Sequence, residues 1–155
     1  MNLRCLMPLC LAATICFCHG RAEATLGEPA DTIAKDKKAL AAVSQKSFSS
    51  ARFRVQQLAS GTTRTAIREY VSPTGVVFAV AWNGLVHPDL KVLLGSYHDD
   101  YRKALSRRTR NPGRREMKLA SKRLVVETWG HMRNLQGRAY LPALLPEGVK
   151  IDEIR

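Results

Sequence analysis

Ser72-Pro73-Thr74-Gly75-Val76-Val77-Phe78-Ala79-Val80-Ala81-Trp82 is the stretch that decides the fold. Its first four residues signal a turn: proline presets one central dihedral, and glycine accepts the positive φ that closes it. The seven residues that follow are apolar at every position. Both faces of that segment must then be covered, as in the middle strand of a sheet. Working backward, residues 63–71 alternate with β-branched and aromatic side chains, and Ser60-Gly61 marks a turn. Phe53, Val55 and Gln57 alternate with Arg52, Arg54 and Gln56, the pattern of a half-buried strand. The middle of the chain therefore reads as a meander of three strands.

Working forward, Asn83-Gly84 ends the central strand and Pro88-Asp89 opens a helix. Its stripe is Leu90, Leu93, Leu94, Tyr97, Tyr101 and Leu105, with Gly95 as a weak point. Residues 106–118 are basic and contain the breaker Asn111-Pro112-Gly113, so a loop is expected. Residues 123–129 are a second β-rich run, closed by Gly130, and residues 138–141 form a further strand. Pro142, Pro146 and Gly148 make the rest loop-like, with Ile151 and Ile154 as anchors and residues 151–155 as a tail. Upstream of the meander, residues 30–45 are alanine-rich. Ile33, Leu40 and Val43 recur near helical spacing opposite lysines, so a first helix is expected, with Pro29 at its first position; residues 44–50 read as a polar loop. The expected architecture is α+β: a single antiparallel sheet of about four to five strands with two helices packed on one face. It forms one domain over residues 25–150.

The chain has 155 residues, 45% apolar and 25% charged, an ordinary globular balance. Met1 to Arg4 carries positive charge, residues 5–18 carry none, and Ala22-Glu23-Ala24 is a small-x-small triplet. That order is a secretory signal peptide over residues 1–24, with cleavage leaving Thr25 first. Lipid attachment does not fit, because Cys16 follows Ile15 and Cys18 follows Phe17 where a small residue is needed. Beyond this segment no apolar run reaches membrane-spanning length, which argues against a polytopic membrane protein and leaves no expected transmembrane helix after cleavage. Cys5, Cys10, Cys16 and Cys18 all lie inside it. A mature chain without cysteine has no disulfide, no cysteine-bearing zinc site and no thiol nucleophile, so its core alone must hold it.

Three segments are more particular than composition requires. They are residues 68–82, then His87-Pro88-Asp89-Leu90 with Leu93-Leu94-Gly95-Ser96-Tyr97, then Gly130-His131-Met132-Arg133 with Gly137-Arg138-Ala139-Tyr140-Leu141-Pro142. Together they resemble the bacterial exported family catalogued as domain of unknown function 2844. The resemblance runs from Leu26-Gly27-Glu28-Pro29 to Gly148. It implies a secreted single domain and supplies no activity, cofactor or catalytic residue. The basic stretch 102–123 lies outside it.

That stretch is the strongest physical feature. The chain carries 25 Lys and Arg against 13 Asp and Glu, a net charge of +12. Residues 102–123 hold ten of those cations and a single acid, Glu116. Such a density attracts clustered anions. Arg107, Arg108, Arg110, Arg114 and Arg115 are the anion-binding candidates; the plainer reading is a solvated, highly charged loop. For an exported protein the expected partners are anionic envelope components or another exported protein, and nucleic acid is not expected. Few aromatics interleave with the charges, so no base-stacking platform is implied.

Catalytic signals are weak. His87, His98 and His131 are far apart and lack metal-ligand spacing, so no metal or cofactor is expected. His98-Asp99-Asp100 does not converge, because helical neighbours point about 100° apart. Nucleophile-elbow and phosphate-loop motifs are absent. Glu69 shares a strand face with Ile67 and Val71, and Glu127 with Val125 and Trp129. A carboxylate in such a place needs a partner or shifts its pKa. Glu69, Glu127 and His131 could together make a small hydrolase with paired-acid chemistry. Against that, each acid can pair with an arginine such as Arg68, Arg133 or Arg138, and His131 can simply sit beside a glycine turn. The reading favoured is an exported, non-catalytic binding module.

Overall fold

The computed structural model describes residues 26–33, 37–38, 40–61, 63–109 and 116–155. The turn at Ser72 forms as its residues dictate. The Gly75 N–H donates to the Ser72 carbonyl at 2.9 Å with Gly75 at φ 84°, and the Ser72 N–H reaches the Val76 carbonyl at 2.9 Å. It joins β3 (Thr65–Val71) to β4 (Val77–Gly84), and residues 77–82 of β4 are buried without exception.

Around this centre lies one seven-stranded sheet in the order β1-β2-β3-β4-β7-β6-β5. The other strands are β1 (Ala42–Ser49), β2 (Arg54–Ser60), β5 (Met117–Ala120), β6 (Val125–His131) and β7 (Asn134–Tyr140), and every neighbouring pair is antiparallel. Two meanders, β1 to β4 and β5 to β7, meet along a β4–β7 seam. There Trp82 stands opposite Gly137, where an added Cβ would lie 2.3 Å from the indole. Glycine at 137 is what lets the indole lie against the neighbouring strand.

Both faces of the sheet are covered. On one, Val77, Val80 and Trp82 pack with Ile67, Val71, Leu93 and Leu94. The helical run above them is α1 (Leu90–Leu94), a 3-10 turn (Gly95–Tyr97) and α2 (His98–Ser106). Asp89 caps α1 by accepting the Lys91 N–H at 2.8 Å, and Gly95 at φ 44° bends the run. On the other face, Phe78, Ala79 and Ala81 pack with Tyr70, Val125, Tyr140 and Ile154. Phe78 and Ala79 share this face because the β3–β4 register slips between Tyr70 and Val71. Its cover is the segment after β7, which folds back as a strap.

The expected architecture needs correction. Among the described residues the sheet has seven strands rather than four or five, and the helical cover on it is one run of 17 residues rather than two helices. Residues 42–45, expected at the end of a first helix, and 46–49, expected in a loop, belong to β1. Near the expected helix start lies a 3-10 turn, Ala30–Thr32; Ile33, Lys37 and Lys38 are helical, and the chain enters β1 through Ala41 at φ 47°. β1 is an edge strand exposed along nearly its whole length, so it lacks the alternation that burial of one face imposes. The basic loop 106–118 ends inside β5, a four-residue strand with Leu119 alone buried. Residues 151–155 are no loose tail: Ile151–Glu153 is a 3-10 turn and Ile154 is fully buried. Upstream, Leu26 is fully buried; the Gly27 N–H bonds the Val77 carbonyl at 2.7 Å, and the Val77 N–H bonds the Glu28 carbonyl at 3.0 Å.

Candidate functional site

The cations of the second half come together where α2 passes β5. Lys103, Arg107 and Arg108 lie at the end of the helix, and Lys118, Lys122 and Arg123 on and just after β5. They line an open groove of about 520 Å³. Asp100 is its acid, and it is spoken for: the Arg123 guanidinium donates to its carboxylate at 2.7 and 3.1 Å while lying 5.3 Å from the Tyr97 ring centre. Lys118 leans to the opposite face and pairs with Glu127 at 2.7 Å. Among the described residues the side chains of Lys103, Arg107, Arg108 and Lys122 carry no partner, leaving four uncompensated cations along one groove. Of the sequence candidates, Arg107 and Arg108 are placed here, whereas Arg110, Arg114 and Arg115 lie outside the described residues.

The two candidate acids do not meet. Glu69 stands in β3 between Ile67 and Val71 on the helix-covered face, 1% exposed. Glu127 stands in β6 on the strap-covered face, in line with Val125. The sheet separates them. His131 is exposed at the β6–β7 hairpin, opposite Asn134. The arrangement therefore offers no common reacting point for the three, which paired-acid chemistry needs. Nor do His98, Asp99 and Asp100 act together: His98 lies against Tyr101, with ring centres 6.1 Å apart, and Asp100 faces Arg123.

Glu127 is the centre of a polar cluster. Arg138 on β7 donates to it at 2.6 Å and passes its other arm to the Ile151 carbonyl at 2.7 Å. Burial pushes the Glu127 pKa up, but the hydrogen bonds from Lys118 and Arg138 outweigh it, and the carboxyl titrates below its ordinary 4.5. The expected arginine partner is thus Arg138, with Lys118 as a second. Arg138 also lies 5.4 Å from the centre of the Trp129 ring, beside a wider polar groove of about 1060 Å³.

The family model described as a protein of unknown function, DUF2844, matches residues 22–154. The chain belongs to this family. No curated protein and no solved structure matches it. The match takes in the whole DUF2844 sheet, the strap and the residues between α2 and β5. It therefore also spans the basic stretch that the sequence resemblance left out.

Sequence reasoning missed Lys103, Lys122 and Arg123 as named members of the groove, and Arg138 as the hub of the strap. Lys103 and Arg107 stand four apart across the helix end, a spacing that places two side chains on one face. Arg138 opposite Glu127 becomes visible only once the β6–β7 register is known. Among the described residues no helix is long and apolar enough to cross a membrane.

Proposed function

We propose that this DUF2844 protein is an exported, non-catalytic binding module that takes clustered anions of the cell envelope into the groove between α2 and β5. The carrying observation is the run of uncompensated cations there: Lys103, Arg107, Arg108 and Lys122 line one concave surface whose acid, Asp100, is already paired with Arg123. Cations carried on a helix end and on the turn after β5 offer several charge-assisted contacts to a ligand bearing many phosphates or carboxylates. Export is supported by the basic, apolar, small-residue order of residues 1–24. The periplasm or the extracellular side of the envelope is the proposed location.

Inorganic polyphosphate is the direct probe. The protein should bind it with an affinity that falls steeply with salt, because attraction between solvated charges is screened over roughly 8 Å at physiological ionic strength. A variant carrying Lys103→Gln, Arg107→Gln, Arg108→Gln and Lys122→Gln should lose most of the binding with little change in melting temperature, since solvated charges away from the core usually shift stability by less than about 0.5 kcal/mol each. Equal binding by the two proteins rejects the groove. N-terminal sequencing of secreted material tests the export reading: a start near Thr25 supports it, and a start at Met1 sinks it.

A further inference from the structure

The end of the sheet farthest from the groove carries an unusual set of side chains. The strand register brings Ala42, Ser60, Thr65, Gly84, Leu135 and Gly130 into one row across β1, β2, β3, β4, β7 and β6. The tips beyond that row, with the β1 slip beside it, hold the two most exposed large apolar residues of the described chain, Met132 at 91% and, at the slip, Val43 at 75%, together with Val86 at 45% and Leu85 at 40%. From β1 to β6 the row is about 24 Å wide at the usual strand spacing. The groove lies near the β5–β6 turn, at the other end of β6.

These side chains are held outward rather than frayed. The Thr65 hydroxyl donates to the Val86 carbonyl at 3.0 Å, and the Trp82 indole N–H donates to His87 Nδ1 at 3.0 Å, so the Leu85–Val86 bend is pinned on both sides. Met132 and Arg133 alone turn the chain from β6 to β7, with Arg133 at φ 67°. Gly130 fits there because an added Cβ would fall 2.1 Å from the Asn134 carbonyl oxygen. Val43 sits at a register slip against Gly61. Between the apolar points stand exposed Arg64 and Arg133, and the described residues of these tips (40–43, 60–65, 84–87 and 130–134) include no Asp or Glu.

We propose that this end of the sheet docks on an anionic lipid bilayer. Met132, Leu85, Val86 and Val43 enter the boundary between headgroups and acyl chains, and Arg64 and Arg133 take the headgroup phosphates. A protein partner is matched by a continuous apolar patch with charge depleted at its centre. Separate apolar points with cations between them match an interface where apolar insertion and attraction to anionic lipid act together. This surface is independent of the polyphosphate groove.

The test is co-flotation of the secreted protein with vesicles of mixed phosphatidylcholine and phosphatidylglycerol, and with phosphatidylcholine alone. Binding to the mixed vesicles should keep a component that survives salt of about 0.5 M, where charge attraction is largely screened. Val86→Asp with Met132→Asp should lower vesicle binding roughly tenfold or more at low and high salt. Arg64→Gln with Arg133→Gln should lower it at low salt only. All four should leave polyphosphate binding unchanged, so failure here and failure of the groove are told apart. Should the aspartate pair lower the melting temperature, Val43→Ser with Met132→Ser in the folded protein decides. Absence of vesicle binding, or equal binding by the tip variants, overturns the proposal. So does a dimer that the tip variants dissolve, which would assign this end to a second copy of the chain.

Discussion

The two faces of the DUF2844 sheet are closed by different physics. On the helix side, α1, the 3-10 turn and α2 lay Leu93, Leu94 and half-buried Tyr97 and Tyr101 on an apolar cluster. On the strap side, residues 142–155 bring Ile154, Leu145 and Val149 to an apolar cluster and are also tied down by polar bonds. Arg138 bonds the Ile151 carbonyl, the Tyr70 hydroxyl exchanges hydrogen bonds with the Arg155 backbone at 2.9 Å in each direction, and Arg52 pairs with Glu153 at 2.9 Å while also reaching the Gly148 carbonyl. A helix satisfies most of its own backbone groups and needs only an apolar stripe to dock. An irregular strap cannot, and borrows donors and acceptors from the side chains beneath it. Both covers should respond to cavities, and the strap should respond to charge as well.

The largest effect should come from the strand the two covers share. Phe78→Ala removes a fully buried ring from the strap face and should cost about 3–5 kcal/mol by denaturant unfolding; Leu94→Ala on the helix face should cost about 2–5 kcal/mol. A loss below about 1 kcal/mol for either would mean that its face is not a packed interior. Next comes the latch. Arg138→Ala leaves Glu127 with Lys118 alone and frees the strap carbonyls, for an expected loss of about 2–3 kcal/mol, set by hydrogen bonds to charged groups. Proteolysis within 142–155 should rise in this variant and not in Leu94→Ala at matched stability. If both are cut alike, the two covers are not independent.

Acid should separate the faces in turn. Burial lowers the His87 pKa below 6.5, and its Nδ1 accepts the Trp82 N–H only when the ring is neutral there. The unfolded chain then binds the proton more tightly, so this contribution is complete above about pH 6.5 and is lost as pH falls toward the folded value. Glu127, held below 4.5, contributes fully above about pH 4.5 and loses its share as pH falls further. Melting temperature followed from pH 8 to 3 should show the first decline missing in His87→Phe and the second missing in Glu127→Gln. A profile identical in all three proteins would refute both assignments. The smallest effect is expected at Arg123. Its pair with Asp100 is solvent-exposed, and Arg123→Gln should change stability by about 0–1 kcal/mol. A larger loss would make the groove wall structural.

Legibility in the sequence followed burial. The turn at Ser72, strands β2, β3, β4 and β6, and the buried end of β7 at residues 138–140 could be read because each has a covered face, which writes alternation or an apolar run into the chain; the first half of β7, residues 134–137, was not legible as strand. β1 has no such face, so Ala42 to Ser49 looked first like helix and then like loop. β5 buries Leu119 alone and sits among cations whose composition reads as loop. The strap was legible through Ile154, which is buried, whereas Ile151, expected as a second anchor, is exposed; the strap's polar latches depend on which strands become neighbours. For the same reason Glu127 and Glu69 looked equivalent in sequence. Period-2 patterning says that a residue shares a face with its second neighbours. It does not say which of the two faces another strand presents.

The β4–β7 seam has a consequence for how the molecule assembles. Each meander pairs strands adjacent in sequence, apart from this one contact, which joins the end of the first meander to the last strand of the second. Its closure brings together strands separated by the helical run and β5–β6, and it bears the entropy of that loop. The native topology thus places a non-local step at the point where Trp82 meets Gly137. Until that step, the central strand has an open edge of unpaired N–H and C=O groups between apolar side chains, a template on which a wrong partner can pair.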